Sequence, residues 1–440
     1  MTLDAAAAPL EVDPLLDDPA TRIIVCCGSG GVGKTTTAAA LGVRAAERGR
    51  KVVVLTIDPA RRLAQSMGID SLDNTPRQVK GIEGGGELHA MMLDMKRTFD
   101  EIVEAHADPD RARAILDNPF YQSLSAGFAG TQEYMAMEKL GQLRARDEWD
   151  LIVVDTPPSR SALDFLDAPK RLGSFLDGKF IRLLMAPAKM GGRAGMKFLN
   201  VGMSMMTGTL GKLLGGQFLR DVQTFVAAMD TMFGGFRTRA DATYRLLQAP
   251  GTAFLVVAAP ERDALREAAY FVERLAAEGM PLAGLVLNRV HGSGAARLSA
   301  ERARAAAENL EEGRIVDQGR GKNGAREAAA PAGSAPEAPE ASRTSEPRTS
   351  ESEASESQTS ESQTSEPPSV NQLTAGLLRL HAERMQVLKR EQRTRDRFTA
   401  LHPEVPVAEV AALPGDVHDL AGLRTIGDRL SGGSPATGAA

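Results

Sequence analysis

Continuous runs of apolar residues alternate with stretches of helical periodicity over much of the chain. Five runs have the length of a buried strand: Arg22–Cys27, Lys51–Ile57, Asp150–Val154, Ala253–Ala258 and Leu282–Leu287. The first two are separated by a predicted helix from Thr35 to Arg48. Strands that are apolar on both faces and alternate with helices form parallel sheets covered on both sides. The pattern therefore predicts an α/β fold with a mainly parallel sheet and helices on both faces.

Two stretches are too long to be simple crossovers between strands and predict an inserted α-helical subdomain. They are Met95–Arg146 and Ser161–Gln248, both of helical periodicity. Eight of the 17 methionines lie between Met185 and Met232, which favours soft, adaptable apolar helices. This methionine-rich part is either the core of the subdomain or a groove for an apolar client or a membrane surface.

A segment near the C-terminus is predicted to be a disordered linker. From Asp317 to Ser369 the chain has no Val, Ile, Leu, Met or aromatic residue, so it cannot bury enough apolar surface to fold. A charged helix is then predicted from Asn371 to Leu401, followed by a strand-like Val405–Leu413 and a short helix ending at Leu430. The chain is thus expected to return to the sheet after the linker.

Together these patterns predict an α/β core that is interrupted several times. The predicted boundaries are 20–94 for the first part of the core, 95–148 for the first helical part, 149–160 for a further part of the core, 161–249 for the methionine- and glycine-rich helical part, 250–316 for the second part of the core, 317–370 for the linker and 371–432 for the C-terminal helix and strand of the core.

Composition excludes several classes of protein. The 440 residues are 42% hydrophobic and 25% charged, as in soluble proteins of two or three domains. Residues 325–369 hold nine Glu and three Arg, so the remainder of a chain with net charge −5 is close to neutral. Aromatic residues make up only 4% of the chain. Without a basic face or stacking platforms, no nucleic-acid partner is expected.

The cysteines and the N-terminal residues bear on location. Cys26 and Cys27 are adjacent on a predicted strand and point to opposite faces, which excludes a disulfide or a cysteine metal site between them. The first twenty residues lack a basic region and an apolar run, unlike a signal peptide. No uncharged apolar stretch is long enough to span a membrane. We expect a cytoplasmic protein without a transmembrane segment.

The strongest motif follows the first strand and opens the first helix. Gly28-Ser29-Gly30-Gly31-Val32-Gly33-Lys34-Thr35 satisfies G-x-x-x-x-G-K-[ST], the phosphate-binding P-loop. The backbone of Gly30, Gly31, Val32 and Gly33 is expected to wrap the phosphates, with Lys34 on the β- and γ-phosphates, Thr35 on Mg²⁺ and Thr36 at the α-phosphate. The dinucleotide fingerprint G-x-G-x-x-G also matches. A dinucleotide site, however, does not require a lysine and a metal-binding hydroxyl directly after the last glycine, so the P-loop is favoured.

Two acidic residues end predicted strands beside this loop. Asp58 begins Asp-Pro-Ala-Arg-Arg, and Asp155 begins Asp-Thr-Pro-Pro. Ligands of open α/β sheets bind at the carboxyl ends of the strands, where a carboxylate can hold Mg²⁺ or its waters or orient an attacking water. Each aspartate alone could instead be a helix N-cap. Their occurrence together with a P-loop favours a catalytic site.

With these three motifs the chain resembles the anion-transporting ATPases, the family of the arsenite-pump ATPase and the targeting factor for tail-anchored membrane proteins. The resemblance rests on the P-loop, on the motifs that begin at Asp58 and Asp155 (switch I and switch II), and on two further matches. These are Leu287-Asn288-Arg289 and Leu413-Pro414-Gly415-Asp416-Val417. It covers nearly the whole chain outside the linker and implies a P-loop NTPase fold.

The resemblance also implies roles for individual residues. Asp58 would polarise the attacking water, and Asp155 would sense the γ-phosphate and Mg²⁺, binding the metal through water. Asn288 would hydrogen-bond adenine, and Pro414 and Val417 would pack on the base. Members of the family use ATP and Mg²⁺ and work as dimers that close on ATP.

The chain departs from the family pattern at several positions. Ser29 stands where the family usually has a lysine that reaches the partner's phosphates. Arg61 replaces the usual His of switch I, and Arg160-Ser161 replaces Gly-His of switch II. The cysteines for arsenite or a zinc clasp are absent.

Three functions fit the sequence. The first is an ATP-hydrolysing dimeric switch that binds an apolar client or membrane partner, at the membrane periphery or in the cytoplasm. The second is a weakly active subunit that needs a lysine-bearing paralogue in a heterodimer. The third, a partition or division-site ATPase, is disfavoured by the methionine-rich insertion and the lack of a basic face.

Overall fold

The protein is described from a computed structural model. The structure describes residues 8–57, 62–69, 71–124, 131–157, 221, 224–225, 235–236, 238–320 and 369–432.

An eight-stranded sheet forms the centre of the fold. Its strands are β1 Ile23–Cys27, β2 Lys51–Thr56, β3 Arg77–Gln78, β4 Glu87–Met92, β5 Leu151–Asp155, β6 Thr252–Ala258, β7 Leu282–Val290 and β8 Val407–Ala411. They are ordered β3-β4-β2-β5-β1-β6-β7-β8, and every pair is parallel except β3 with β4. The predicted α/β fold with a mainly parallel sheet is confirmed.

The described helices lie between and after these strands. They are α1 Val12–Asp17, α2 Lys34–Glu47, α3 Arg62–Ser66, α4 Met95–His106, α5 Pro109–Leu116, α6 Pro119–Leu124, α7 Thr131–Arg146, α8 Arg262–Ala277, α9 Ala300–Arg320, α10 Val370–Leu401 and α11 Leu420–Leu430. Residues 238–248 are also helical. The chain divides into two compact units, one formed by 1–292 with 388–440 and the other by 293–387.

The sheet separates two apolar cores, because neighbouring residues of a strand face opposite sides. On β1, Ile23, Val25 and Cys27 belong to one core, and Ile24 and Cys26 belong to the other. Both cysteines are free and buried. Burial raises the pKa of the Cys27 thiol to about 12, and burial together with the charge of Asp155 raises that of Cys26. Both thiols are therefore protonated, and the two side chains lie in different cores on opposite faces of the sheet.

Helix α2 packs closely on the sheet because the residues on its buried side are small. A Cβ atom added to Gly42 would lie 2.5 Å from Cγ2 of Val54 on β2. On the outer side Arg44 joins the helix to two others: its Nε donates to Asp13 of α1 at 2.5 Å, and its Nη1 donates to Asp428 of α11 at 2.9 Å. The last turn of α2 is thereby held against α1 and α11.

Most of the predicted elements are present. The five apolar runs form β1, β2, β5, β6 and β7, and the helical stretch Met95–Arg146 contains α4 to α7. The chain returns to the sheet after α10 as β8 beside β7, as expected. The predictions for Ser161–Gln248 and for the linker fall mostly outside the described residues. Where the structure does describe helices, none is both long enough and apolar enough to cross a membrane.

Candidate active site

The loop between β1 and α2 depends on glycine at two positions. Gly28 has φ +149°, and a Cβ atom there would lie 2.1 Å from the carbonyl oxygen of Val257 on β6. Gly33 has φ +97°, and a Cβ atom there would lie 2.2 Å from Nδ2 of Asn288. Only glycine avoids both the strained backbone and these collisions. The loop therefore passes close to the ends of β6 and β7.

Lys34 is the first residue of α2 and is buried, with 5% of its surface exposed. Its Nζ donates to the carbonyl oxygen of Ser29 at 2.8 Å, so the ammonium group lies across the loop. The N-cap of the helix is Gly33, which has no side chain to satisfy the first backbone N–H groups. A cation beside the N–H groups of a helix N-terminus forms a site for phosphate.

A fully buried carboxylate lies beside the start of α2. Asp155 ends β5 and is paired in register with Cys26 of β1 and Thr56 of β2. Its Oδ2 accepts a hydrogen bond from the Thr35 hydroxyl at 2.7 Å and another from the Thr56 hydroxyl at 2.9 Å. The structure thus brings together Thr35 and Asp155, the two residues predicted to serve the metal.

These two residues fit Mg²⁺ by the chemistry of their donors. A hydroxyl and a carboxylate are hard oxygen ligands, which Mg²⁺ prefers. In the part of the chain that the structure describes, no group of three or more His, Cys, Asp or Glu side chains could hold a metal by itself. Mg²⁺ commonly keeps several waters and binds through one or two protein oxygens together with substrate phosphates, so this sparse donor set suits it.

Comparison with known proteins decides the family. Residues 21–309, about two thirds of the chain, match the family model of the anion-transporting ATPases. The chain belongs to the anion-transporting ATPase family. It is therefore an ATPase, and the assignment of its nucleotide site to the P-loop at Lys34 stays a prediction.

Curated relatives support this membership. The chain is similar to ATPase GET3 of Malassezia globosa, with 31% identity over 171 residues, which are 39% of this chain and 49% of that protein. It is also similar to ATPase GET3 of Podospora anserina, with 25% identity over 278 residues, which are 63% of this chain and 75% of that protein. The chain thus spans about half the length of the Malassezia relative in that alignment and three quarters of the Podospora one.

Asn288, which the family resemblance assigns to adenine, ends a buried part of β7 and reaches the P-loop. Its Nδ2 donates to the carbonyl oxygen of Val32 at 2.8 Å, and its Oδ1 accepts from the backbone N–H of Arg289 at 2.9 Å. Arg289 has φ +60°, an unusual backbone for a residue with a side chain. The side chain of Asn288 therefore braces the phosphate-binding loop, a role that its motif does not reveal. Its contact with adenine stays a prediction.

Switch I begins at the limit of the described chain, since Asp58 and Arg61 lie outside the described residues, as does Arg160 of switch II. The preceding residue, Ile57, donates its N–H to the carbonyl oxygen of Asp155 at 3.0 Å. Its own carbonyl oxygen accepts from Nε2 of Gln132, on the first turn of α7, at 2.9 Å. Sequence reasoning missed Gln132, because the two residues are far apart in the chain and no motif joins them.

The two residues predicted to pack on the base lie in the loop between β8 and α11. Val417 is half-buried and packs against the core that also contains Val32 of the P-loop. It lies against Gly422 of α11, where an added Cβ atom would be 2.9 Å from its Cγ1. Pro414 is exposed in the same loop. Their position relative to adenine stays a prediction.

Proposed function

We propose that this ATPase is a Mg²⁺-dependent dimeric switch, acting in the cytoplasm or at a membrane surface, whose nucleotide state controls binding of an apolar client or membrane partner. The observation that supports it most is the link between Thr35 and Asp155. It joins the phosphate-binding helix to the end of β5, from which switch II continues. A change at the phosphates can therefore reach the chain that follows Asp155.

In the proposed reaction each group has a separate task. The N–H groups of the P-loop and Lys34 bind the phosphates and stabilise the negative charge that develops on them. Thr35 and, through water, Asp155 would hold Mg²⁺, which when bound neutralises phosphate charge. Asp58 would accept a hydrogen bond from the attacking water and orient it in line with the γ-phosphate. Asn288 would hold the loop in shape and contact the base.

Helix α7 provides a physical route from the switch to the helical insertion. At its first turn Gln132 contacts Ile57, which precedes Asp58. Further along, Glu138 accepts from the Tyr134 hydroxyl at 2.8 Å and from Nε of Arg239 at 2.6 Å. Arg239 belongs to the end of the predicted insertion. Movement of switch I would thus be felt by α7 and by the chain packed on it.

The test is a pair of measurements on the purified full chain. Phosphate release from ATP is measured with Mg²⁺ and with a chelator of divalent cations. Binding of a fluorescent peptide with a twenty-residue leucine–alanine core is then compared without nucleotide, with ADP and with a non-hydrolysable ATP analogue. Mg²⁺-dependent turnover and nucleotide-dependent peptide affinity support the proposal. Turnover with the same peptide affinity in all three states contradicts the coupling.

A heterodimer is the second candidate, and one observation favours it. Ser29 replaces the lysine usual in the family; Ser29 itself is buried, and its carbonyl oxygen is occupied by Lys34. A cation supplied to the transferring phosphate raises rates by about 10³–10⁵. If a lysine-bearing paralogue supplies that cation, the homodimer hydrolyses slowly and Ser29→Lys raises its turnover. Fast wild-type turnover that is lost on Arg61→Ala, Arg62→Ala or Arg160→Ala identifies an arginine as the substitute and contradicts the paralogue.

A further inference from the structure

The first half of α10 exposes a row of large apolar side chains. These residues belong to the compact unit 293–387 and have exposed fractions between 38% and 78%. They are Val370, Leu373, Leu377, Leu380 and Val387, which we call the α10 stripe. An exposed contiguous apolar surface of this kind marks an interaction site more often than isolated exposed residues do.

The α10 stripe follows a heptad repeat. Val370 and Leu377 occupy the a positions, Leu373, Leu380 and Val387 occupy the d positions, and Arg384 is the remaining a residue. Apolar residues at a and d, alternating three and four apart, form the seam along which two α-helices coil around each other. The stripe therefore has the geometry of a coiled-coil surface rather than of a groove for an irregular ligand.

The other side of α10 already has a partner, and that side is lined by small residues. Ala375 and Ala382, at the f positions, are buried, as are Ala303 and Ala307 of α9. Nη2 of Arg379 donates to Glu311 of α9 at 2.5 Å, and Nε2 of His381 lies 2.8 Å from the carbonyl oxygen of Leu298. The helix thus buries these alanines against its own chain and leaves Leu373, Leu377 and Leu380 exposed. A helix that packs only within its own chain buries its large apolar side chains. Here the large apolar side chains are exposed and the small ones are buried.

The chain next to the stripe cannot cover it. Residues 317–369, which lead into α10, contain no Val, Ile, Leu, Met or aromatic residue. A helix with a matching seam can cover the leucines, and the stripe itself provides one. When two copies of α10 run antiparallel about a two-fold axis, Val370 faces Val387 of the second copy and Leu377 faces its Leu380.

The charge of Arg384 selects the direction of the two helices. In a parallel pair the a residues meet each other, so Arg384 would face Arg384 of the second copy. In the antiparallel pair Arg384 faces Leu373 instead, and its long side chain can cover the leucine while the charge stays in water. The flanking residues of the seam also avoid like charges, because Glu383 comes beside Gly376 and His381 beside Thr374.

We infer that the α10 stripe is an interface between two copies of this chain, formed as an antiparallel coiled coil about a two-fold axis. The stripe contains none of the phosphate-binding residues, so the contact forms without nucleotide. This interface is independent of the dimer closure on ATP that is part of the proposed function. The inference therefore stands whether or not that closure takes place.

Disulfide crosslinking of the full chain without nucleotide tests the direction. The natural cysteines are buried and protonated, so introduced cysteines report alone. We expect a crosslinked dimer when Val370→Cys and Val387→Cys chains are co-expressed and mildly oxidised, and none from Val370→Cys alone. The two positions are about 25 Å apart along the helix. An antiparallel pair therefore permits a disulfide only between positions 370 and 387, and a parallel pair permits one only between the two copies of position 370. The control is Asn371→Cys in place of Val370→Cys.

The second test is the mass of the nucleotide-free chain by sedimentation velocity. Leu373→Glu with Leu377→Glu should weaken self-association by about 100-fold, while the control Asn371→Glu with Gln386→Glu leaves it unchanged. Crosslinking of Val370→Cys alone overturns the antiparallel arrangement. A wild type that sediments as a monomer and gives no crosslinks overturns the interface between copies. The stripe would then be covered by the chain's own insertion or by another partner. ATP hydrolysis is measured separately, so its failure is not confused with either result.

Discussion

The hydroxyl of Thr35 lies 2.7 Å from Oδ2 of Asp155, so the first turn of α2 is tied directly to the end of β5. The same carboxylate oxygen accepts from Thr56 at 2.9 Å, which adds the end of β2. One buried oxygen thus connects the P-loop to the two strands that lead into the predicted switches. If Thr35 turns to a metal, the hydrogen bonds of both strand ends change with it.

Asp155→Asn should lower ATP turnover by about 100-fold, the usual effect of removing one group that stabilises charge in the transition state. We expect ATP affinity to change much less, because the loop and Lys34 are the groups proposed to bind the phosphates. Turnover and fluorescent-nucleotide binding are measured on the same preparation. Thr56→Ser, which keeps a hydroxyl beside the same oxygen, is the matched control. An Asp155→Asn variant with the turnover of the wild type excludes this carboxylate from the reaction.

Lys34→Ala and Asp58→Asn should both abolish hydrolysis but differ in binding. Lys34 would place a charge on bound phosphates, so its removal should weaken ATP affinity by about 10- to 100-fold. Asp58 would act mainly on the water, so its variant should still bind Mg-ATP. Isothermal titration with ATP separates the two effects. Wild-type turnover by Asp58→Asn would show that switch I has been assigned to the wrong residue.

Gln132→Ala should lower turnover by about 3- to 10-fold, as expected for loss of one hydrogen bond that positions the chain before Asp58. ATP affinity should stay as in the wild type, since the contact is to the carbonyl oxygen of Ile57 and not to the P-loop. Gln142→Ala, on the same helix, is the control. Equal turnover of both variants would remove α7 from the path between switch and insertion.

Acid should weaken the attachment of α1 to α2. The hydrogen bond and charge of Arg44 lower the pKa of Asp13 below its usual 3.8, so the pair stabilises the fold above that pH and less as Asp13 protonates below it. Asp13→Asn should therefore lower the free energy of unfolding by about 1 kcal/mol at neutral pH. Urea unfolding should show the same difference in the free energy of unfolding between the wild type and Asp13→Asn down to about pH 4, and a smaller difference below it. Asp110→Asn, at an exposed ion pair, is the control; an equal loss in both variants contradicts a specific role for Asp13.

Strands that are buried on both faces could be predicted from the sequence, because their apolar runs are continuous. The strand β4 could not, since Glu87 is exposed and His89 only half-buried in a run of low β-branched content. The P-loop was predictable from spacing alone, because its backbone course is local. The bracing of Val32 by Asn288 and of Ile57 by Gln132 was not, because both depend on how distant elements pack.

The most direct test of the central claim is ATP hydrolysis by the full chain with Thr35→Ala and Thr35→Ser, measured as phosphate release over a Mg²⁺ titration. If Thr35 shares its hydroxyl between Asp155 and the metal, Thr35→Ala loses about 100-fold in turnover and needs more Mg²⁺, while Thr35→Ser keeps most of both. Equal Mg²⁺ dependence and turnover in the wild type and Thr35→Ala would contradict the account.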